Sequence, residues 1–436
     1  MLVLNSIGVG FGPSNIALAI ALEERGMTGK ASGHIFFDSR AAPDWHPGLM
    51  YEEATMQISF LKDLITMVNP QSRYTFLNYI HSSGRIHEFI NLRTFHPRRT
   101  EFESYVKWCA EQLSPFVEFN SRVSGVRLSD PLNPAQSDLT VSVRSQVTSQ
   151  TKDLRTKSLI IADGGMPTWP LTKPWSTYNS VFHSGETLHR LAALNLDKDG
   201  EHRFHIIGSG QSAADTFAYL ATTYPNAKIV MSHRSYAMRP EDDSHFVNEL
   251  FMPHAVDEIF GLSPDFRKKV IKDYWHVTHN GVTIDLLPKL YEMVYYDNAS
   301  GRNRFTFNRF SEILDAVEQD GHGVAHMRRI NDQSSFEVAA DVTILSTGYD
   351  RPCPHPLLDS LSEYLEVSDD GANYQMGRDY KITAPKTSGF QIYLQGYSEN
   401  THGFSEALLS LMPERASEIA DGILSRSHTN GVVAAQ

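Results

Sequence analysis

Two stretches of the chain place glycines at the spacing that lets a backbone close around a phosphate. The first, SIGVGFGPSNIALAIAL over residues 6–22, sets Gly8, Gly10 and Gly12 before Pro13 and Ser14. The second, RFHIIGSGQSAADTFAYL over residues 203–220, sets Gly208 and Gly210 before Gln211, Ser212 and Ala213. In each, an apolar run precedes the glycines and a helical pattern follows. The first glycine of such a loop allows a tight turn, and the second lets the backbone approach a pyrophosphate seated on the helix N-terminus. A bare GxGxxG is a weak signal, and the first loop has Pro13 in its third position. Its context strengthens it, because Asp38 ends the next strand, where an acid suits a ribose with free hydroxyls, as in FAD or NAD. The second loop has Ala213 in third position, an accepted variant, and its next strand runs into Ser232-His233-Arg234-Ser235. An arginine there suits the 2′-phosphate of NADPH. A structural glycine turn and a solvated strand-end arginine are the plainer alternatives. Together the loops imply a bound flavin and a second dinucleotide that brings it a hydride.

Each loop needs a strand before it and a helix behind it. The first unit reads as a strand from Leu2 to Ile7, a helix from about Ser14 to Arg25 stopped by Gly26, and a strand from His34 to Asp38, which is a βαβ unit. The second starts at about Phe204 and reaches its next strand at Lys228–Met231. Between them, Thr100-x-x-Glu103 reads as a capping box opening a helix with Phe102, Tyr105, Val106, Cys109 and Leu113 on one face, Cys109 being a core residue. Residues 117–146 alternate like a β-meander around a turn at 130–134. A buried strand, Ser158–Ile161, ends in Asp163-Gly164-Gly165, and Asp341–Leu345 echoes it, ending in Ser346-Thr347-Gly348-Tyr349, with Tyr349 read as part of a strand end of the first domain. A last helical stretch, Ser405–Leu424, is broken at Pro413. The expected fold is α/β, with two Rossmann-like dinucleotide-binding domains, the second inserted into the first, and a small, mostly helical substrate-binding region. The expected boundaries are 1–165 for the first part of the FAD domain and 166–335 for the NADPH domain, with the substrate segment around 240–300. The rest, 336–436, is the second part of the FAD domain with a C-terminal substrate-site helix.

With 436 residues, the chain can bury a sizeable core, and its net charge of −12 argues against nucleic acid or an anionic membrane as partner. Its two cysteines, Cys109 and Cys353, form neither a CxxC nor a zinc-like spacing, so no metal, disulfide framework or dithiol pair is expected. No apolar run approaches 18 residues and no signal-peptide pattern opens the chain, so a cytoplasmic protein is the default expectation.

Which flavin enzyme fits can be narrowed. Dithiol oxidoreductases of this layout need the missing CxxC. Flavin-containing and Baeyer–Villiger monooxygenases carry FxGxxxH, and the nearest string here, His183-Ser184-Gly185-Glu186-Thr187-Leu188-His189, starts with His in place of Phe. The strings Trp45-His46-Pro47-Gly48, ATMQISFLKDLITMVNPQSRYTFLNYI and NLRTFHPRRTEFESYVKW resemble the microbial N-hydroxylating flavin monooxygenases, the L-ornithine N5- and L-lysine N6-monooxygenases of siderophore synthesis. So do residues 242–249 (DDSHFVNE), Ser346-Thr347-Gly348-Tyr349 and Thr401-His402-Gly403-Phe404-Ser405, and the GxGxxP form of the first loop is that family's habit. Departures are small: Asp38 where glutamate is common, Leu49-Met50 where Met-Leu is usual, and Glu406-Ala407.

The resemblance implies FAD and NADPH as cofactors, O₂ as co-substrate, and N-hydroxylation of a side-chain amine through a C4a-hydroperoxyflavin. It places Gln57 near the reactive edge of the flavin, as catalytic and cofactor-binding residue. Lys62 would meet the substrate carboxylate, and Asn248 and Asn280, with Ser410, the amino-acid head group. By itself Lys62 reads as half of a solvated pair with Asp63, and Asn248 as a turn residue. Trp45 and His46 either stack near the flavin or pack the loop, and both readings stay open. Residues 89–108 and QISFLKDL resemble the ornithine group most. Lysine, or a diamine such as putrescine or cadaverine, is the alternative substrate, and a non-catalytic nucleotide-binding redox sensor the more distant reading. Family members are often tetramers, which leaves a homo-tetramer open.

Overall fold

A computed structural model describes residues 2–319, 321–368, 371–385 and 389–429. The strand Val3–Val9 lies between His34–Phe37 and Thr151–Ile161, parallel to both. The sheet around it runs Val117–Glu118, His34–Phe37, Val3–Val9, Thr151–Ile161, Leu139–Ser145, Ser121–Leu128. Thr151–Ile161 changes partners along its length. Its first half pairs antiparallel with the meander strand Leu139–Ser145, and its second half takes Gln391–Leu394 in parallel, Ser158 opposite Gln391. The helix Pro13–Glu24 is buried at every residue from Asn15 to Leu22. It lies between this sheet and the helices Arg99–Gln112 and Met412–Thr429, and so reads apolar all round rather than amphipathic.

The second sheet is parallel throughout, in the order Phe305–Asn308, Lys228–Ser232, Arg203–Ile207, Val342–Leu345, Val181–His183. The helices Gln211–Thr223 and Leu286–Ala299 cover one face. A meander of Ser311–Gln319, His322–Arg329 and Ser335–Ala340 covers the other, through Ala316, Ala325 and Met327 against Val181, Ile207 and Leu345. The chain leaves the first sheet at Met166–Pro167 and returns at Tyr349–Asp350, and the two crossings pair antiparallel.

Three expectations are corrected. Val342–Leu345 sits inside the second sheet, so the second unit ends near residue 348 and not at 335, and Tyr349 belongs to the crossing rather than to a strand end of the first sheet. A four-residue run buried on both faces reads the same in either sheet, and only the pairing tells them apart. The helix expected from Thr100 begins at Arg99, and no side chain caps it. The Arg99 amide donates to the Ala54 carbonyl, and Glu103 pairs with Lys107 at 2.8 Å instead of closing a capping box. The last stretch is a 3₁₀ turn, Phe404–Ala407, followed by a separate helix in which Pro413 is the second residue, a first-turn position that tolerates proline, rather than a break. The region 240–300 is mostly helical but docks two ways. Leu286–Ala299 packs on Gln211–Thr223, whereas Pro253–Gly261 and Pro264–Asp273 pack on Glu399–His402 beside the first sheet.

Candidate active site

Both glycine loops lie at the C-terminal ends of their central strands and open a helix. Gly10 has φ +80°, and a Cβ on it would stand 2.5 Å from the Ala162 carbonyl oxygen, so only glycine brings the loop this close to the neighbouring strand. Gly12, the residue before the helix, has open space where a Cβ would project, and no side chain caps the helix N-terminus. This is the form a pyrophosphate cradle requires, with exposed amides, a positive dipole end and room. Gly8 packs against the Phe36 ring. Beneath the loop, Asn15 donates to the carbonyls of Val9 (3.0 Å) and Gly10 (2.7 Å) and accepts from Gln395 (2.9 Å). Arg415, from the last helix, reaches Gln395 at 3.3 Å, Ser14 at 3.4 Å and the carboxylate of Glu406 at 2.9 Å. This buried network locks the cradle to the C-terminal segment.

The second loop repeats the design. Gly208 has φ +134° and stands against the Ser346 carbonyl, and Gly210 precedes an uncapped helix. Gln211 is not free to reach a ligand with its side chain. Its Oε1 accepts from the Thr283 amide (2.8 Å) and its Nε2 donates to Asp215 (2.9 Å), whose other oxygen takes Arg99 at 2.8 Å. The loop therefore offers its backbone amides, and Gln211 orders them. The Ser212 carbonyl accepts from Thr216, whose hydroxyl also meets Tyr51 at 2.8 Å. Arg234 is exposed and has no partner among the described residues.

Asp38 is buried where the ribose reading puts it, but already engaged. Burial would raise its carboxyl, yet the hydrogen bonds and charge of Arg40 and the Phe11 amide outweigh that and hold it below the usual carboxylate range. Any hydroxyl it takes must share those oxygens with Arg40.

Residues 45–62 span both units. Gly48 lies against the Gly185 backbone, Tyr51 stacks on Tyr219 with centroids 4.7 Å apart, and Gln57 donates to Glu241 at 2.6 Å. Trp45 packs on Phe102 at 5.6 Å beside the core. His46, in a left-handed conformation (φ 51°), keeps an exposed edge, and the protein packed around its ring, then the charges of Arg99, Arg351 and Arg40, lower its pKa. Lys62 is half-buried. Asp63 is not its partner, because that carboxylate accepts from the amides of Ile65, Thr66 and Phe76 and from the Thr66 hydroxyl. The Lys62 ammonium has no hydrogen bond or ion pair among the described residues. Burial lowers its pKa, and the charge of Glu414 partly opposes that. Glu414 Oε2 is itself buried without a partner.

Asn248 Nδ2 closes its turn on the Asp243 carbonyl (2.7 Å), leaving Oδ1 available. Asn280 (φ 63°) stands beside Gly210, its Cα 3.3 Å from where a Cβ on that glycine would be. Ser410 is buried immediately before the helix that carries Glu414 and Arg415.

Several residues at this junction escaped the sequence reading. His183, first residue of the near-miss string, accepts from Gly185 and donates to the Gly348 carbonyl (2.9 Å), pinning the returning chain. Arg351 follows that crossing, its Nε 3.1 Å from where a Cβ on Gly396 would be. Glu399 is half-buried with Oε1 unpartnered. Burial raises it to about 7, with Arg351 opposing and Glu406 adding, and His279 Nε2 lies 4.0 Å away. A charged residue after a turn is usually solvated, so nothing in the sequence singled these out. Among the described residues no His, Cys, Asp and Glu cluster is disposed to hold a metal, and no helix is long and apolar enough to cross a membrane.

Comparison with known proteins agrees with this geometry. Residues 2–351 match the model of a family described as L-lysine 6-monooxygenase/L-ornithine 5-monooxygenase. The chain is 34% identical over 421 residues to an L-ornithine N(5)-monooxygenase of Pseudomonas aeruginosa, covering 96% of this chain and 93% of that protein. It is 35% identical over 441 residues to an L-ornithine N(5)-oxygenase of Arthrobotrys oligospora, covering 98% and 90%. Among solved structures, an ornithine N-hydroxylase of Kutzneria sp. 744, described with reduced FAD, NADP⁺ and L-ornithine, superposes with a TM-score of 0.90 at 31% identity, covering 98% of this chain and all of that one.

Proposed function

The chain belongs to the L-lysine 6-monooxygenase/L-ornithine 5-monooxygenase family, and we propose that its own reaction is the FAD- and NADPH-dependent N-hydroxylation of the side-chain amine of L-ornithine, feeding hydroxamate siderophore synthesis. The observation that carries an amino acid rather than a diamine as substrate is Lys62, a half-buried ammonium that has no ion pair among the described residues and feels Glu414 only as a charge at a distance. An α-carboxylate supplies that partner, and a diamine does not.

FAD, when bound, would supply the hydride acceptance and oxygen activation that the reaction needs. The chain supplies everything else. The uncapped helix at Pro13 would hold the FAD pyrophosphate, with Gly8, Gly10, Gly12 and Ser14 shaping the cradle and Asp38 available to the ribose. Gly208, Gly210 and Ser212 do the same for NADPH, Gln211 holding the loop and Arg234 meeting the 2′-phosphate. Lys62 takes the ornithine carboxylate, and Asn248, Asn280 and Ser410 hold the amino-acid head group. This fixes the substrate at its head group and directs the side-chain amine inward. Gln57, held by Glu241, lines the path, and Trp45 and His46 close the loop behind it. The reacting amine must be neutral, against a solution pKa near 10.4, and enclosure away from water favours that form.

The test is a substrate panel of L-ornithine, L-lysine and putrescine assayed for hydroxylated product. Ornithine is expected to give the highest kcat/KM. Putrescine in first place would overturn the substrate while leaving the family untouched.

A further inference from the structure

At the end of the second sheet, Ser232 and Asn308 face each other on neighbouring parallel strands. The two segments leaving them stay zipped together. The His233 amide donates to Asn308 (3.1 Å), the Ser311 amide to His233 (2.9 Å), and the Phe310 amide to Ser235 (3.4 Å). The Ser235 hydroxyl lies 3.3 Å from that of Ser209, in the second glycine loop. The result brings Arg309, 75 positions later in the chain, beside Arg234 at the edge of that loop. The Arg309 guanidinium rests 4.4 Å above the centroid of the Tyr236 ring, and Phe310 stands 5.9 Å from the same ring. Neither arginine has an ion pair among the described residues, so the zipped segments carry two uncompensated guanidinium side chains to this edge. The Arg309 charge helps hold His233 below its usual pKa, after burial and against the Ser235 carbonyl. A phosphomonoester, which carries about −1.5 to −2 near neutral pH, is the kind of anion two such arginines would take.

We propose that Arg309, held flat by Tyr236, is the second guanidinium of a clamp that closes with Arg234 on the 2′-phosphate of NADPH. This rests on the cofactor reading above and extends it. Arg234 alone is a point of attraction, whereas two planar groups from adjacent strands set the position of the phosphate. The ring explains why an exposed arginine stays in place, since stacking restricts a side chain that would otherwise sample many rotamers.

The experiment is calorimetric titration of the FAD-loaded protein with NADP⁺, NAD⁺, 2′,5′-ADP and 5′-AMP. Arg309→Ala is expected to weaken NADP⁺ and 2′,5′-ADP by on the order of tenfold to a hundredfold, as loss of a charge-assisted contact does. NAD⁺ and 5′-AMP should move by less than about twofold on that same basis, since they lack the phosphate. Tyr236→Leu should shift the phosphorylated pair in the same direction, by less. Equal losses on all four ligands, or none, would overturn the clamp. If Arg234→Ala discriminates between NADP⁺ and NAD⁺ and Arg309→Ala does not, the clamp fails and the cofactor reading stands. If the unaltered protein binds NAD⁺ as tightly as NADP⁺, the cofactor reading itself fails, and the clamp with it.

Discussion

Replacing Lys62 by alanine separates substrate binding from flavin chemistry. In the folded chain this ammonium is half-buried, its pKa lowered by burial, and Glu414 is felt electrostatically without pairing. On the proposed reading, the substrate carboxylate gives it a direct partner that no described residue supplies. A hydrogen bond to a charged group contributes about 1.5–3 kcal/mol, so Lys62→Ala should lower kcat/KM for ornithine by roughly tenfold to a hundredfold. The loss should fall mainly on KM, because the contact lies at the head group and not at the reacting nitrogen. Putrescine has no carboxylate and should lose no more than about threefold by the same reasoning. FAD affinity and thermal stability should hold, since removing an unpaired, partly desolvated charge deprives the fold of no partner. The sign of the pH dependence follows. Lys62 must be protonated to bind, so ornithine KM should rise as pH climbs through its lowered pKa in the unaltered enzyme, and the alanine variant should lose that limb. Steady-state kinetics on both amines across pH 7–10 would decide it. Equal losses on ornithine and putrescine would refute the carboxylate role and assign Lys62 to the fold or the flavin.

Further outcomes follow from other parts of the structure. Arg415→Met leaves Glu406 buried with no countercharge (the pair is 2% and 1% exposed) and should cost about 3–5 kcal/mol in urea unfolding. FAD should weaken as well, because Arg415 also reaches Ser14, and Glu406→Leu/Arg415→Met should regain most of the stability. A single variant as stable as the parent would contradict this. Gly10→Ala puts a Cβ against the Ala162 carbonyl at φ +80° and should yield protein without bound flavin, a result disproved by an intact flavin spectrum at stoichiometric FAD. His34 and His205 are buried, hydrogen-bonded to Ser6 and Ser232, and held neutral at about 4 and about 3. The unfolded chain binds their protons from pH 6.5 downward, so stability is whole above that value and lost as pH falls through the folded values. The expected slope is about 1.4 kcal/mol per histidine per pH unit. The urea midpoint should drop between pH 7.5 and 5.5, and His34→Asn/His205→Asn should flatten the drop. An unchanged slope would mean that other groups set the acid limb.

Both cradles were legible in the chain because local rules and global use agree there: an apolar strand, glycines where backbone must approach backbone, then a helix left uncapped. What was not legible depends on partners far away in sequence. Val342–Leu345 was assigned to the first domain and lies in the second sheet, since a strand buried on both faces carries no mark of which neighbours it pairs with. The capping box at Thr100 was a sound local pattern overridden by a contact from Ala54. Asp38 was legible as the acid that ends the second strand, but its bond to Arg40 depends on how the loop folds back. Gln211 reads as a ligand contact because it sits in the loop, and only the fold shows its side chain occupied at both ends, by the Thr283 amide and by Asp215. Lys62 beside Asp63 looks like a surface pair until Asp63 is seen turned inward to the amides of Ile65, Thr66 and Phe76. Arg309 is invisible from sequence, because its closeness to Arg234 exists only through the register of two parallel strands.

The central claim is that this cleft transfers oxygen to the side-chain nitrogen of L-ornithine, and the most direct test is stoichiometry. The purified enzyme, loaded with FAD, would be given NADPH, O₂ and L-ornithine, with hydroxylated ornithine measured by mass spectrometry against NADPH consumed and peroxide released. The account predicts N5-hydroxyornithine as product, formed in an amount close to the NADPH used, with little peroxide. NADPH oxidation that ornithine does not alter, with all reducing equivalents recovered as peroxide and no hydroxylated amine, would contradict it.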